Sequence, residues 1–220
     1  MKLRFVAKQR EVGDIYSFTF APEQSLTWQA GQSIRLEIAG LERRFSIVNA
    51  PYEKNIAIAT RLSGSDFKTA LAALTPGDSI DGFNIEGTFV WQAAPQPHLL
   101  LASGVGITPY IAMFKQLAHD HQPLNAKLLY ANRDEQFLFG QELKQLEREH
   151  PELKIEFLAG QRLSRQIIDE HTAELRHGLV YVSGPEAMVN GVTELLLDAG
   201  ITPERLKQDI FTGRVGWEAR

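Results

Sequence analysis

The 220-residue sequence contains no cysteine, and this absence excludes several kinds of chemistry. Disulfide bonds, thiolate catalysis and an iron–sulfur cluster held by four thiolates all require cysteine side chains. A site built from histidine and carboxylate ligands is still allowed, but among the six histidines only His119 and His121 lie close together in the sequence. Because such a pair at the end of a predicted helix is more often solvated than metal-bound, we expect no metal site.

The sequence also lacks an excess of basic residues. It has 23 Lys and Arg against 27 Asp and Glu, a formal net charge of −4, whereas a protein that binds duplex DNA or an anionic membrane needs a basic face. The uncharged stretch of residues 87–114 is interrupted by Pro95, Pro97 and Pro109, and a membrane span requires about 20 predominantly apolar residues in an unbroken helix. The first 14 residues contain no apolar run typical of a signal peptide. We therefore expect a cytoplasmic protein that binds neither nucleic acid nor the membrane interior. We also expect a monomer, although charge and hydropathy do not determine the oligomeric state.

The first 90 residues have the pattern of short strands. In residues 32–39, Ile34, Leu36 and Ile38 alternate with polar side chains, which is the period of a strand with one buried face. Similar runs, separated by turn residues, occur at residues 3–7, 16–20, 45–47, 56–60 and 79–83. One helix is predicted over residues 67–74. Six short strands at near-regular spacing predict a small antiparallel β-barrel.

After Pro95 the sequence alternates between strands and helices. The apolar run of residues 99–102 is typical of a buried parallel strand. Further strands are predicted at residues 127–131, 154–159 and 179–183, and helices up to about residue 117 and over residues 137–149 and 186–199. This alternation predicts an α/β domain with a doubly wound parallel sheet. We therefore divide the chain into a barrel domain, residues 1–95, and an α/β domain, residues 96–220.

A glycine turn follows the first predicted strand of the α/β domain. Gly104 and Gly106 allow the backbone to approach a ligand closely, Thr108 is suited to the N-cap of the next helix, and Pro109 is suited to its first turn. The amides and the dipole at a helix start favour an anion such as a pyrophosphate. The three-glycine dinucleotide fingerprint is not present, because Pro109 holds the third position. A tight turn that binds nothing is the alternative interpretation.

A second glycine turn, Ser183-Gly184-Pro185, ends a later predicted strand and precedes another helix. Because ligands of doubly wound sheets bind at the carboxyl ends of the strands, the two turns could border one crevice. In the barrel domain, the segment around Arg43, Phe45 and Ser46 combines groups that can bind a phosphate, stack on a flat ring and form a hydrogen bond. A strand with one charged side is the alternative there.

The ordered set Arg-x-Phe-Ser, Gly-x-Gly-Ile-Thr-Pro and Ser-Gly-Pro-x-x-Met resembles the ferredoxin–NADP reductase family of flavoproteins over nearly the whole chain. The resemblance implies an FAD-binding barrel and an NAD(P)-binding sheet. It implies that Arg43 holds the FAD pyrophosphate, that Phe45 stacks on the isoalloxazine where the family usually has tyrosine, and that Ser46 bonds near flavin N5. The other FAD-binding positions that it implies are Ile47, Ala59, Thr60, Arg61, Gly64, Lys68 and Thr69, with Lys68 where the family has a hydroxyl residue.

The same resemblance assigns the nicotinamide nucleotide to the α/β domain. Thr108 would lie near the nicotinamide, and Ser183 would replace the family's cysteine beside it. The other positions implied for this nucleotide are Gly104, Val105, Gly106, Pro109, Gly184, Pro185 and Met188. Arg133 lies where the family often has arginine, and Arg162 matches the family's arginine that binds a 2′-phosphate, so we expect NADPH. An ordinary surface charge is the alternative interpretation of Arg162 and of the nearby Arg165. NADH is the alternative, because Asp134 and its neighbour Glu135 would repel a 2′-phosphate if they pointed inward.

The C-terminal region resembles the family's acidic–x–aromatic ending. Phe211 would then cover the flavin, with Asp209 as a proton-relay carboxylate, and Trp217 is the alternative aromatic. The implied activity is hydride transfer from NADPH to FAD, with Ser46 and Phe211 beside the reacting ring. Electrons would pass to a separate acceptor such as ferredoxin or flavodoxin, or to a free flavin or ferric complex. Two other functions stay open: an FAD-carrying electron-transfer module of a larger complex, and a nucleotide sensor that has lost its flavin.

Overall fold

The computed structural model describes residues 1–172 and 178–212, which contain eleven strands and five α-helices. These residues belong to two units. The first unit comprises residues 1–91 and 108–120, and the second comprises residues 92–107 and the described part of residues 121–211. The domain boundary at residue 95 stays a prediction.

The first unit is built on a six-stranded antiparallel sheet in the order β4-β3-β6-β1-β2-β5, which confirms the predicted fold class. Its strands are β1 (Lys2–Val12), β2 (Ile15–Pro22), β3 (Ser33–Ile38), β4 (Leu41–Ser46), β5 (Ile56–Arg61) and β6 (Ser79–Glu86). The Val48 amide, just after β4, donates to the Ala57 carbonyl of β5 at 2.8 Å. This bond brings the two end strands together at one point, and the sheet curves into a half-barrel.

Alternating apolar side chains fill the interior of this half-barrel. The Phe5 ring lies 5.6 Å from that of Phe20 and 6.3 Å from that of Phe18, and all three side chains are buried. Helix α1 (Asp66–Ala72) closes the interior with Phe67 and Leu71. The period-two pattern of the sequence therefore identifies the residues that form this core.

Helix α2 (Thr108–His119) also belongs to the first unit. Its Tyr110 ring lies 5.6 Å from that of Phe89. Its Met113 side chain approaches Gly31 so closely that a β-carbon at that glycine would be 2.4 Å from Met113 Cε. The sequence pattern alone groups this helix with the α/β domain, because the helix follows the first parallel strand directly.

The second unit contains a five-stranded parallel sheet in the order β11-β10-β7-β8-β9, as the doubly wound fold class requires. Its strands are β7 (His98–Ser103), β8 (Ala126–Asn132), β9 (Leu153–Ala159), β10 (Val180–Pro185) and β11 (Leu206–Phe211). Its helices are α3 (Gly140–Glu149), α4 (Arg165–Thr172) and α5 (Glu186–Asp198). The chain runs outward from β7 to β9 and then returns to β10, so the strand order reverses between β7 and β10. Ligands of such sheets bind at this reversal.

The helices of the described residues are short. The longest of them, α5, has 13 residues. No helix in residues 1–172 and 178–212 combines the length and hydropathy needed to cross a membrane.

Candidate functional site

Two arginines of the first unit, Arg43 and Arg61, lie close enough to Lys68 to influence its charge. Lys68, on α1, is half-buried, and its Nζ donates to the Ser63 hydroxyl at 3.3 Å. Burial lowers the pKa of Lys68, and the charges of Arg43 and Arg61 lower it further. Asp14 opposes this effect and forms an ion pair with Arg61. A cluster of like charges around a half-buried lysine favours an anion as its ligand.

An aromatic pair lies beside these cations. Phe45, on β4, packs at 5.6 Å from the fully buried Phe67 of α1, and Arg43 Cζ lies 5.9 Å from the centre of the same Phe67 ring. Phe45 itself is only partly buried. The first unit thus combines a partly exposed aromatic ring with three cations, which suits a flat ring system joined to a phosphate.

The other positions predicted for FAD differ in their exposure. Ser46 and Ile47, at the end of β4, and Ala59 and Thr60, on β5, are buried. Residues at the end of β4 and on β5 are neighbours because of the backbone bond between Val48 and Ala57. Gly64 has φ of +71°, a conformation that favours glycine, and Thr69 on α1 is exposed to solvent. The structure thus brings the ends of β4 and β5 together, and Thr69 points to solvent.

The first glycine turn lies at the carboxyl end of β7. Residues Gly104–Ile107 form a 3₁₀ turn that continues into α2. A β-carbon at Gly106 would be 2.2 Å from the Ser183 carbonyl oxygen and 2.8 Å from Gly184 Cα. The structure therefore brings the two glycine turns into direct contact at the reversal of strand order, and only glycine allows this approach at residue 106.

The structure corrects the expected helix start at this turn. Thr108 is the first residue of α2 rather than the N-cap residue that precedes it, and it is buried. The reason is that the 3₁₀ turn runs into α2 without a break, so the helical segment opens at Gly104. The N-terminal end of a helical segment favours an anion, and here that end lies at Gly104. Pro109 occupies the first turn of α2, as predicted.

Ser183, on β10, is buried completely between β7 and β11. Its hydroxyl oxygen has no hydrogen-bond partner among the residues that the structure describes. A buried hydroxyl without a partner is costly, and native proteins seldom leave one without a reason. Such a group at the carboxyl end of a parallel strand suits a polar ligand. The next residue, Gly184, packs against Met188, whose Cε would be 2.5 Å from a β-carbon there.

Arg133 and Arg162 follow neighbouring strands at the same edge of the sheet. The Gly160 amide, after β9, donates to the Asn132 carbonyl of β8 at 2.9 Å, which holds the two strand ends together. Both arginines are exposed, and neither has an ion-pair or hydrogen-bond partner in residues 1–172 and 178–212. Arg165, by contrast, is bonded to Asp198 at 2.6 Å.

The carboxylate of Asp134 is bonded within its own turn. It accepts a hydrogen bond from the Gln136 amide at 2.9 Å and one from the Asn132 side chain at 3.3 Å. These bonds hold Asp134 where it is and reduce its capacity to receive another donor. The side chain of the adjacent Arg133 is exposed.

Phe211 is the last residue of β11 and pairs in parallel register with the exposed Pro185 of β10. Two residues earlier, Asp209 is buried and pairs with Ser183. Phe211, Asp209 and the Ser183 turn thus share the carboxyl edge of the sheet. Trp217, the alternative aromatic, lies outside the described residues.

Tyr130 contacts the first glycine turn, and the sequence pattern does not identify it as a site residue. Its hydroxyl donates to the Gly104 carbonyl at 2.8 Å, and its ring lies 5.0 Å from that of Phe137. The sequence does show an aromatic residue near the carboxyl end of a buried strand. From the sequence alone, however, such a residue cannot be distinguished from an ordinary core residue. Within residues 1–172 and 178–212, no group of three or more His, Cys, Asp or Glu is placed to hold a metal ion.

Comparison with known proteins shows what this chain is similar to. Residues 100–194 match the family described as "Oxidoreductase NAD-binding domain". The chain is 25% identical to the flavohemoprotein of Pseudomonas putida, an alignment that covers 96% of this chain and 58% of that protein. It is also 25% identical to the 2-halobenzoate 1,2-dioxygenase electron transfer component of Burkholderia cepacia, over 90% of this chain and 64% of that protein. The chain thus spans about three-fifths of the length of these relatives.

Solved structures share the fold. The flavohem-like FAD/NAD binding domain of nitric oxide dioxygenase from Vibrio cholerae is 24% identical, with a TM-score of 0.80 that covers 96% of this chain and 98% of that one. Ferredoxin–NADP⁺ reductase from Plasmodium falciparum is 15% identical, with a TM-score of 0.82 over 96% and 95% of the two chains. The matching family over residues 100–194 and these relatives support the resemblance to ferredoxin–NADP reductase-like flavoprotein oxidoreductases, and the solved structures share the fold.

Proposed function

We propose that this chain is an FAD-dependent oxidoreductase that takes a hydride from NADPH and passes electrons to a separate acceptor. The observation that carries the proposal is the cluster of Lys68, Arg43 and Arg61 beside the Phe45–Phe67 pair. This set of side chains fits a dinucleotide with a flat ring at one end and a pyrophosphate in the middle.

In this proposal the first unit holds FAD. Arg43 and Lys68 neutralise the pyrophosphate, the exposed part of Phe45 stacks on the isoalloxazine, and Ser46 bonds near N5. When bound, FAD accepts a hydride and releases electrons singly, which amino-acid side chains cannot do. The role of the protein is to bind and orient the two cofactors, so the hydride step needs no acid–base pair of side chains.

The second unit holds the nicotinamide nucleotide. The turn that begins at Gly104 receives the phosphates, and the buried Ser183 hydroxyl donates to or accepts from the nicotinamide end. The exposed guanidinium groups of Arg133 and Arg162 bind the 2′-phosphate, which selects NADPH over NADH. The bonds that occupy Asp134 support this choice, because they keep its carboxylate within its own turn. Phe211 covers the flavin.

The electron acceptor is a separate protein of the ferredoxin or flavodoxin kind, in the cytoplasm. The chain has no cysteine with which to hold an iron–sulfur cluster by thiolates. Two relatives of the chain are named as electron transfer components of dioxygenases, which supports a separate acceptor. Free flavin and ferric complexes are the small-molecule acceptors to compare with these proteins.

The visible absorbance spectrum of the purified protein, before and after anaerobic addition of NADPH or NADH, tests the proposal. We expect a flavin spectrum that NADPH bleaches faster than NADH. Bleaching by NADH alone would overturn the assignment of Arg133 and Arg162 but keep the reductase. A flavin that neither nucleotide reduces would favour an electron-transfer module of a larger complex. A protein that binds no added FAD would overturn the roles of Arg43, Phe45 and Ser46 together.

A further inference from the structure

Tyr130 links β8 to the first glycine turn through one hydrogen bond. Its side chain is fully buried, and its hydroxyl donates to the Gly104 carbonyl at 2.8 Å. Gly104 is the first residue of the 3₁₀ turn and has φ of +55°, a conformation that is strained for most residues. Tyr130 therefore forms its hydrogen bond with the first residue after β7.

The turn is fixed from its other side by β10. The close approach of Gly106 to the Ser183 carbonyl leaves no room for a β-carbon. Because β7 lies between β8 and β10 in the sheet, the turn at its end is held by both neighbouring strands. One of these contacts is a directed hydrogen bond and the other is close packing of backbone atoms.

The hydrogen bond sets the direction of a whole peptide group. In a planar trans peptide the carbonyl and the following amide point in opposite directions. A Gly104 carbonyl that points to Tyr130 therefore directs the Val105 amide away from β8. A backbone group fixed before the ligand arrives loses less conformational freedom on binding than a group that must first be ordered.

The surroundings of Tyr130 keep this hydroxyl in one place and in one protonation state. Its ring packs at 5.0 Å from Phe137 and at 6.2 Å from Phe157, and those two rings lie 4.8 Å apart. Burial raises the pKa of the Tyr130 hydroxyl far above its ordinary value. The group therefore remains a donor throughout the pH range in which the protein would work.

We propose that Tyr130 is a positioning residue that holds the Gly104–Val105 peptide in the orientation that receives the phosphates of the nicotinamide nucleotide. This inference rests on the proposed function, because it assumes that the turn binds a dinucleotide. It adds a role for a residue that contacts neither the nucleotide nor the flavin, and it predicts an effect on nucleotide binding without an effect on the first unit.

The test is Tyr130→Phe, which removes the hydroxyl and keeps the ring and its packing. The matched control is Tyr181→Phe, which removes another fully buried tyrosine hydroxyl from the same sheet, one that accepts from the Gln92 amide at 3.0 Å. Binding of NADPH and of ADP-ribose would be measured by titration calorimetry on the FAD-loaded protein. The melting temperature, the Kd for FAD and the steady-state KM and kcat would be measured on the same samples.

We expect Tyr130→Phe to weaken binding of NADPH and of ADP-ribose about tenfold, the usual loss for one buried hydrogen bond. The KM for NADPH should rise in proportion, with kcat at saturating NADPH and the Kd for FAD within about twofold of the wild-type values. Both variants lose one hydrogen bond, so Tyr181→Phe should lower the melting temperature about as much as Tyr130→Phe does. Tyr181→Phe should leave the Kd for both NADPH and ADP-ribose unchanged.

Three results would overturn the inference. Unchanged nucleotide binding in Tyr130→Phe would show that the hydroxyl does not position the turn. An equal loss of binding in Tyr181→Phe, or a Tyr130→Phe protein that fails to fold, would show a general structural role. A wild-type protein that binds neither NADPH nor ADP-ribose would instead contradict the proposed function, so the two failures are distinguishable.

Discussion

A β-carbon on Gly106 would lie 2.2 Å from the carbonyl oxygen of Ser183, so these two residues hold the ends of β7 and β10 in direct backbone contact. The obstacle is backbone rather than the end of a flexible side chain. Any side chain at residue 106 must therefore push apart two adjacent parallel strands. Gly104, two residues earlier, has open space around it and is constrained only by its positive φ.

Alanine at these two glycines should have unequal effects. Gly104→Ala should cost about 1 kcal/mol of unfolding free energy, the usual strain of a left-handed residue. Gly106→Ala should cost about 3 kcal/mol, because the strands must separate, and it should abolish detectable NADPH binding. Urea unfolding and an NADPH titration of both variants would check this. A Gly106→Ala protein that is as stable as Gly104→Ala would contradict the close contact.

Lys68→Met should change stability and cofactor affinity in opposite directions. Without FAD, the substitution removes a partly buried charge that lies near Arg43 and Arg61, so the FAD-free protein should be as stable as the wild type or slightly more stable. With FAD, it removes a charged partner of the pyrophosphate, so the Kd for FAD should rise about ten- to a hundredfold. Thermal melts without FAD and fluorescence titration with FAD measure the two effects.

The control for Lys68 is Arg10→Ala. Arg10, an exposed arginine of β1, donates to the Gly13 carbonyl within the same unit. Its removal should leave the affinity for FAD unchanged. If Lys68→Met binds FAD as tightly as the wild type does, Lys68 has no part in binding the cofactor.

Arg162→Gln should reduce the preference for NADPH. The KM for NADPH should rise about tenfold, because a charge-assisted contact with the 2′-phosphate is lost, while the KM for NADH stays the same. Arg165→Gln is the matched control, since its guanidinium is bonded to Asp198 and is not available to a nucleotide. Steady-state rates with both nucleotides would be compared. An equal rise in the KM for NADPH and for NADH would show that Arg162 does not bind the 2′-phosphate.

His98 should make the stability of the protein sensitive to acid. Its Nδ1 accepts a hydrogen bond from the Leu179 amide at 3.1 Å, so the ring is neutral and its Nε2 donates to the Gln92 carbonyl at 2.7 Å. Burial lowers the pKa of His98 in the folded protein. Below the ordinary histidine pKa of about 6.5, the unfolded chain therefore binds more protons than the folded one.

The contribution of His98 to stability is thus complete above about pH 6.5 and decreases as the pH falls below that value, by at most about 1.4 kcal/mol per pH unit. His98→Gln removes this titration and should flatten the dependence of unfolding free energy on pH, even though it lowers stability at neutral pH. Urea unfolding of both proteins across this range measures the difference. Parallel curves for the two proteins would exclude His98 as the source of acid sensitivity.

Much of the fold could be predicted because side-chain periodicity reports directly on local structure. The alternation of Ile34, Leu36 and Ile38 identifies β3, since every second side chain of a strand faces the same side. The apolar run at residues 99–102 identifies β7, a strand buried on both faces. The parallel arrangement of the second sheet follows from the alternation of strands with helices, because strands joined by helices pair in parallel.

Two elements were missed where periodicity is weak. In β11, the one buried position is Asp209, so the strand has no apolar alternation. It is held instead by parallel pairing with β10 over six residues. In α4, a single residue, Ile168, is buried, which is too little for a helical pattern. Such elements form because a neighbouring element supplies their partners, and a local pattern does not contain that information.

The sequence by itself determined which functional groups this protein has and where they lie along the chain. There is no thiol, an arginine precedes Phe45 and Ser46, and glycines follow two strands. Only the tertiary structure decided which of these groups come into contact. It placed Lys68 within the influence of Arg43 and Arg61, bonded Tyr130 to the Gly104 carbonyl, and closed Gly106 against Ser183. Each of these contacts joins different elements of the fold. A side chain's type is encoded locally, whereas its partners depend on chain segments that meet only when the sheets form.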